Sequence, residues 1–303
     1  MIIDMPSTTT TDVAKKLIKL RQEGGAVALG RVLTLVIVTD EASTTEVIDA
    51  ANVASREHPC RIIVLASRPT ADGVDAQIRI GGDAGASEVI ILTGPADAFA
   101  HADTLVMPLL LPDAPIVAWW PREAPENPGA DVIGAMAHRR ITDSYRSADP
   151  RATIRRLATA YRPGDTDLAW TRTTIWRGLL SSTLDQPPFE PVTRVTIEGQ
   201  DDHSSLDLLG AWLGEQLGCD VAVVRTPGAQ AVTAVTLTRP SGDIRLARPS
   251  GKVAVLSQPG QPDHRIALPV RQLHECVAEE LRRLDEDEMY GEVLTQGLAR
   301  VAP

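Results

Sequence analysis

The residues of this chain whose types and spacing bear on chemistry are groups for binding rather than for breaking bonds. Aromatic residues are scarce at 3%, yet four of the five tryptophans, Trp119, Trp120, Trp170 and Trp176, fall in one stretch. Arg172 and Trp176 are four apart and Arg177 adjoins them. On a helix that spacing lets a guanidinium lie over an indole, a contact worth about 0.5–2 kcal/mol. Trp119 and Trp120 close a β-branched run, so their side chains point to opposite faces of a strand. Tryptophan and arginine are enriched at binding hot spots. Trp119, Trp120, Arg172, Trp176 and Arg177 therefore form the candidate partner surface. The competing reading makes the indoles core fillers, as buried aromatics commonly are.

Catalytic constellations are near misses. The stretch from Gly25 to Arg31 has the glycine spacing of a phosphate loop but lacks the Lys-Ser/Thr pair, and it precedes a strand where such a loop follows one. The glycines from Gly81 to Gly85 do not make the dinucleotide fingerprint and read as an inter-strand turn. No Gly-x-Ser-x-Gly elbow is present. The six histidines, His58, His101, His138, His203, His264 and His274, lack the i, i+4 spacing of a zinc helix. Asp201-Asp202-His203 reads as a solvated loop before a helix, and Asp285 to Glu288 as a solvated helix end. The expectation is no catalytic residue, no cofactor and no metal.

Bulk properties agree with a folded, soluble chain. At 303 residues about two domains are expected. Hydrophobic residues at 43% and charged residues at 23% supply a sizeable core. A net charge of −10 argues against a nucleic-acid partner, which needs a dense cationic surface. Three scattered cysteines, Cys60, Cys219 and Cys276, without a Cys-x-x-Cys pair, fit a reducing compartment. With no secretory signal and no apolar run near the roughly 20 residues of a spanning helix, the expectation is a cytoplasmic protein with no membrane partner.

The elements that must hold these groups divide the chain in two. Arg31 to Asp40, Arg61 to Leu65, Ala76 to Ile80, Glu88 to Leu92 and Pro115 to Trp120 read as strands, separated by short helical patterns. That alternation predicts βαβ units and a largely parallel sheet flanked by helices. Capping boxes are read at Ser43–Glu46 and Ser204–Asp207. Asp149-Pro150 opens one helix, and a second is expected from about Asp167 to Leu184. The prolines from Gln186 to Pro191 set the expected boundary, giving an α/β domain with a helical extension at 1–187 and an α+β domain at 188–303. In the latter, alternating apolar positions around Val235, Ile244, Val253 and Ile266 predict an antiparallel meander, with turns at the repeated Arg-Pro-Ser-Gly of 239–242 and 248–251. Leu273, Val277, Leu281 and Leu284 predict a C-terminal amphipathic helix able to cover that sheet.

Four segments, in order, are similar to one known family. They are Glu57 to Leu65, Leu109 to Pro121 with its Pro-Asp-x-Pro to Trp-Trp-Pro string, Arg139 to Ser144, and Trp170 to Leu180. The chain resembles the glucose-6-phosphate dehydrogenase assembly protein (OpcA) family. That resemblance implies a non-catalytic accessory protein whose partner is glucose-6-phosphate dehydrogenase, and which promotes its oligomerisation and activation in the oxidative pentose phosphate pathway. It brings no catalytic motif to transfer. The alternative from the residues alone is a sugar-phosphate- or nucleotide-binding enzyme or sensor. It would use the carboxyl ends of the parallel strands, with Arg68 or Arg122 near a phosphate. A self-assembling homo-oligomer using sheet edges is a third reading.

Overall fold

The computed structural model describes residues 1–23, 32–69, 72–81 and 88–301. The glycine-bearing stretches 25–31 and 82–85, weighed above as nucleotide loops, lie outside them. By compactness the chain forms two units, Met1–Thr142 with Leu273–Glu286, and Asp143–Gln272 with Asp287–Pro303.

In the first unit β1 (Ile2–Met5) and α1 (Thr10–Glu23) precede β2 (Leu33–Asp40), α2 (Thr44–Ala54) and β3 (Cys60–Ser67). Then come β4 (Asp75–Ile80), β5 (Glu88–Gly94), α3 (Ala102–Val106), β6 (Ile116–Trp120) and β7 (Arg139–Thr142). The strand order is β1-β4-β5-β3-β2-β6-β7. Strands β5, β3, β2, β6 and β7 pair in parallel, while β4 and β1 add an antiparallel edge. The parallel strands read as continuous apolar runs because both faces are covered. On one face Val36, Ile63, Ile90, Ala118 and Trp120 pack with Val13 and Leu17 of α1. The register Ile37–Val64–Ile91, with Trp119 beside Ile37, runs through the adjacent positions of the strands.

Two buried ion pairs hold the polar ends of this sheet. Arg61 on β3 meets Glu88 on β5 at 2.7 Å and also donates to the Leu109 carbonyl. Arg139 on β7 meets Glu280 at 2.7 Å and donates to the Asp285 carbonyl. Glu280 belongs to α8 (Leu273–Arg282), which packs against α2 in this unit. The expectation that this helix covers the antiparallel sheet is corrected. Its Glu280 is claimed by Arg139, and its apolar residues Cys276, Val277 and Leu281 are buried in the first unit.

The second unit holds α4 (Pro150–Ala160), β8 (Asp165–Asp167), α5 (Leu168–Thr171) and α6 (Thr174–Leu184), followed by β9 (Arg194–Gln200), α7 (Ser204–Leu217) and β10 (Asp220–Thr226). It continues through β11 (Val232–Thr238), β12 (Ile244–Ala247), β13 (Val253–Ser257) and β14 (His264–Ala267), and returns with α9 (Glu288–Thr295). The sheet order is β10-β9-β11-β12-β13-β14. Strands β9 and β10 are parallel, joined across α7, and β11 to β14 form the antiparallel meander the alternation implied. Helix α7 is buried almost all round from Ser204 to Gly214. It packs on β9 and β10, and α4, α5 and α9 pack on it. Those contacts draw the helices of 150–184 into the second unit, so the proline stretch of 186–191, expected as the boundary, lies inside it. There β11 shifts register between Val232 and Ala234 against β9. Gly199 permits this, since a Cβ there would stand 2.3 Å from the Ala231 carbonyl oxygen.

Helix caps also depart from expectation. Ser43 makes no side-chain cap; Asp40 accepts from the Ser43 amide at 2.8 Å and from its hydroxyl at 3.0 Å. At α7 the capping residue is His203, whose Nδ1 accepts from the Ser205 amide at 3.3 Å, while Asp207 pairs with Arg225. Asp149 caps α4 as read, accepting from the Ala152 amide at 3.0 Å. The single helix expected over 167–184 is broken at Arg172 and Thr173 into α5 and α6.

Candidate functional site

The candidate surface residues divide between the two units. In the first, the sheet buries both indoles of β6. Trp119 is 0% exposed and Trp120 2% exposed. Trp120 joins the core face, close to Gly134, where a Cβ would collide with the Pro128 carbonyl oxygen at 1.8 Å. Trp119 faces the other way with its indole nitrogen unpartnered. Alternation along the strand sends the two side chains apart, and both sides of this sheet are covered.

In the second unit Trp176 is 2% exposed, so it too is interior. The tryptophan part of the expected partner surface is therefore corrected: these indoles are core. Arg172 turns away from Trp176. Its guanidinium donates to both carboxylate oxygens of the wholly buried Asp143, at 2.6 and 2.8 Å, and lies 5.2 Å from the Tyr145 ring. The break after α5 accounts for this, because Arg172 and Trp176 are no longer on one regular helix. Arg177 does stack on an indole, but on Trp170 at 3.6 Å, and donates to the Thr173 and Thr174 hydroxyls. Trp170 in turn donates its indole N–H to Asp287, the cap of α9, at 2.8 Å. Asp287 thus belongs to the packing, not to the solvated acidic run the sequence implied.

Around Arg172 the buried polar groups converge. Asp167, the cap of α5, accepts from the Ser144 amide and hydroxyl, both at 2.9 Å, and from the Ala169 amide at 2.8 Å. The Ser144 and Ser204 hydroxyls are 2.8 Å apart, and Ser205 donates to the Ala169 carbonyl at 2.6 Å. Tyr145 stacks on His203 at 3.9 Å between ring centroids. Burial, with the positive charges of Arg172, Arg248 and Arg225 beside it, holds the His203 pKa at about 3. The imidazole is neutral at physiological pH, as its acceptor role at the cap requires.

Next to His203 lies Arg248, from the second Arg-Pro-Ser-Gly turn. Its side chain is buried and its guanidinium sits 5.2 Å from the Trp176 ring. It donates to the Val232 carbonyl at 2.6 Å and the Leu268 carbonyl at 3.2 Å, and its Nε has no partner. Burial brings its pKa down to about 10, so it remains cationic. Arg172, Arg248, Arg271, His203, Ser205 and Trp176 line a small open cleft with a cavity volume of ≈ 20 Å³. The sequence marks Arg172 and Trp176 as candidates but not Arg248 and Arg271. The repeated Arg-Pro-Ser-Gly was the available signal, since its first copy also buries its arginine, Arg239.

Elsewhere one of the two expected phosphate-binding arginines is engaged. Arg68, near the carboxyl end of β3, pairs with Asp75 at 2.7 Å and Glu41 at 3.3 Å. Hydrogen bonds from the Ser7 amide and Arg68 hold the Asp75 pKa below the usual carboxylate range. Among the described residues no group of three metal-ligating side chains converges, and no helix is long and apolar enough to cross a membrane.

This arrangement is chemically a set of buried, mutually satisfied polar groups beside one cationic cleft. Comparison with known proteins gives its context. Residues 51–159 match the family model described as the glucose-6-phosphate dehydrogenase subunit N-terminal domain, and residues 163–294 match that of the C-terminal domain. A relative from Synechocystis sp., named for the OxPP cycle and OpcA, is 28% identical over 172 residues. That alignment covers 52% of this chain and 34% of the relative, about a third of its length. Among solved structures, KijD10, a 3-ketoreductase from Actinomadura kijaniata, superposes with a TM-score of 0.53 at 10% identity, covering 89% of this chain and 96% of that one. A second structure of the same enzyme, with NADP and TDP-benzene, gives 0.53 at 8% identity, covering 89% and 98%. At such identities the likeness is one of α/β fold. The two family models, matched in order over most of the sequence, establish that the chain belongs to the OpcA family of glucose-6-phosphate dehydrogenase assembly proteins.

Proposed function

We propose that this protein binds glucose-6-phosphate dehydrogenase and promotes its assembly into an active oligomer, in the cytoplasm and without catalysing a reaction of its own. The observation that carries this reading is the match of two successive family models, both named for that dehydrogenase, to 51–159 and 163–294. The site chemistry is compatible with it. Asp143, Asp167 and His203 are each tied to neighbouring groups, which fixes their geometry for packing rather than for proton transfer to a substrate. A binder of this kind shifts assembly only by holding the active oligomer more tightly than the competing states.

Sedimentation of the cognate dehydrogenase, alone and with this protein at micromolar concentration, tests the reading. A co-sedimenting species is expected. Two independent boundaries, with the dehydrogenase oligomer unaltered, would overturn it.

A further inference from the structure

We infer that the cleft lined by Arg248, Arg271, Arg172, His203 and Ser205 is a binding site for a compact oxyanion of phosphate size, free or as the terminal phosphoryl group of a small metabolite. The inference stands apart from the assembly reading.

Its foundation is the state of Arg248. The side chain is 3% exposed, and among the described residues no carboxylate pairs with it. Two backbone carbonyls take its terminal nitrogens, and its Nε–H is left without an acceptor. Burying a cation without a counter-ion is costly, far more than burying a neutral polar group. The neighbouring charges make this worse rather than better. Arg172 has Asp143 as its counter-ion, and Arg225 has Asp207. Arg271, which also lines the cleft, donates to the Thr171 carbonyl at 2.7 Å. None of these relieves Arg248.

Two further features point to an anion. Helix α7, fourteen residues long, begins at this cleft, with its cap His203 and its first-turn Ser205 in the lining. The positive end of a helix dipole favours an anion there. His203 presents no negative charge, being neutral. Arg–phosphate contact is charge-assisted and directional, and the planar guanidinium suits it better than a lysine would. The cavity itself is only ≈ 20 Å³, so the leading oxygens of an anion enter it and the remainder stands in the open mouth.

The test uses the full chain, purified in phosphate-free buffer. Calorimetric titration with inorganic phosphate, alongside the phosphorus line width of phosphate as protein is added, is expected to show saturable binding. Arg248→Met, which keeps the volume and removes the unpaired charge, is expected to weaken binding by at least about tenfold. Its melting curve in phosphate-free buffer establishes that it folds, with the midpoint lowered by the lost hydrogen bonds to the Val232 and Leu268 carbonyls. Wild-type protein showing no saturable binding at about 10 mM phosphate would overturn the inference. So would a folded Arg248→Met variant that binds phosphate as tightly as wild type. If that variant does not fold, Arg271→Gln takes its place, with weakened phosphate binding expected and unchanged binding counting against the site. A parallel titration with a hexose 6-phosphate separates the sources. Tighter binding than inorganic phosphate assigns the site to a phosphorylated metabolite, and equal or weaker binding assigns it to the free ion.

Discussion

Asp143 and Arg172 form a two-point ion pair inside the second unit, the guanidinium donating at 2.6 and 2.8 Å to a carboxylate with no exposed surface. The pair joins two of the sequence segments that carry the family resemblance, Arg139–Ser144 and Trp170–Leu180. Removing one partner strands the other as a buried charge, which typically costs about 3–5 kcal/mol. Asp143→Ala should therefore lower the urea midpoint sharply. Replacing both residues together by apolar ones of similar volume should recover much of the loss. Equal losses for the single and double variants would show that the pair itself is not the cause.

His203 makes stability depend on pH in a defined direction. Its pKa is about 3 in the folded protein against an ordinary 6.5. Below pH 6.5 the unfolded chain takes up a proton that the folded one refuses. The contribution is complete above pH 6.5 and is lost as the pH falls toward 3, at up to ~1.4 kcal/mol per pH unit. His203→Asn keeps a capping acceptor and removes the titration. Comparing urea midpoints at pH 7 and pH 5, wild type should lose more stability than the variant, and parallel losses would contradict the assignment.

The buried indoles give a spectroscopic prediction. Trp119, Trp120, Trp170 and Trp176 are all at most 2% exposed. Acrylamide should quench native fluorescence weakly and quench it strongly after unfolding. Trp176→Ala should cost about 3–5 kcal/mol of stability, as deletion of a large buried aromatic does. Strong quenching of the native protein would return these residues to the surface.

Gly134 tests the packing around Trp120. An alanine methyl would meet the Pro128 carbonyl oxygen at 1.8 Å, which the turn must relieve by moving. Gly134→Ala should lower stability by about 1–3 kcal/mol or more, read as a fall in Tm.

Much of the fold was legible because it rests on local pattern. The β-branched runs of β2, β3 and β6 announce strands covered on both faces, and the alternation from Val235 onward announces the meander. Strand β7 was missed because Arg139 and Arg140 look exposed; only a carboxylate from Glu280, 141 residues away in sequence, makes Arg139 tolerable in the interior. Helix α8 shows its apolar stripe in sequence but not which surface the stripe meets. At the cleft, residue type was legible and exposure was not. Tryptophans and arginines suit an interface and a core equally well, and hydrogen-bond partners decide between them. Arg248 and Arg271 gave no helical or strand-periodic signal, and their proximity to His203 arises only from the tertiary fold.

The proposed role of this protein is to change the assembly and activity of glucose-6-phosphate dehydrogenase. The most direct measurement titrates it into the cognate dehydrogenase, following oligomer mass by light scattering and initial rate on the same samples. Mass and rate should rise together and saturate at a fixed ratio of the two proteins. A rate and a dehydrogenase mass that stay flat through micromolar concentrations, with no complex formed, would contradict it.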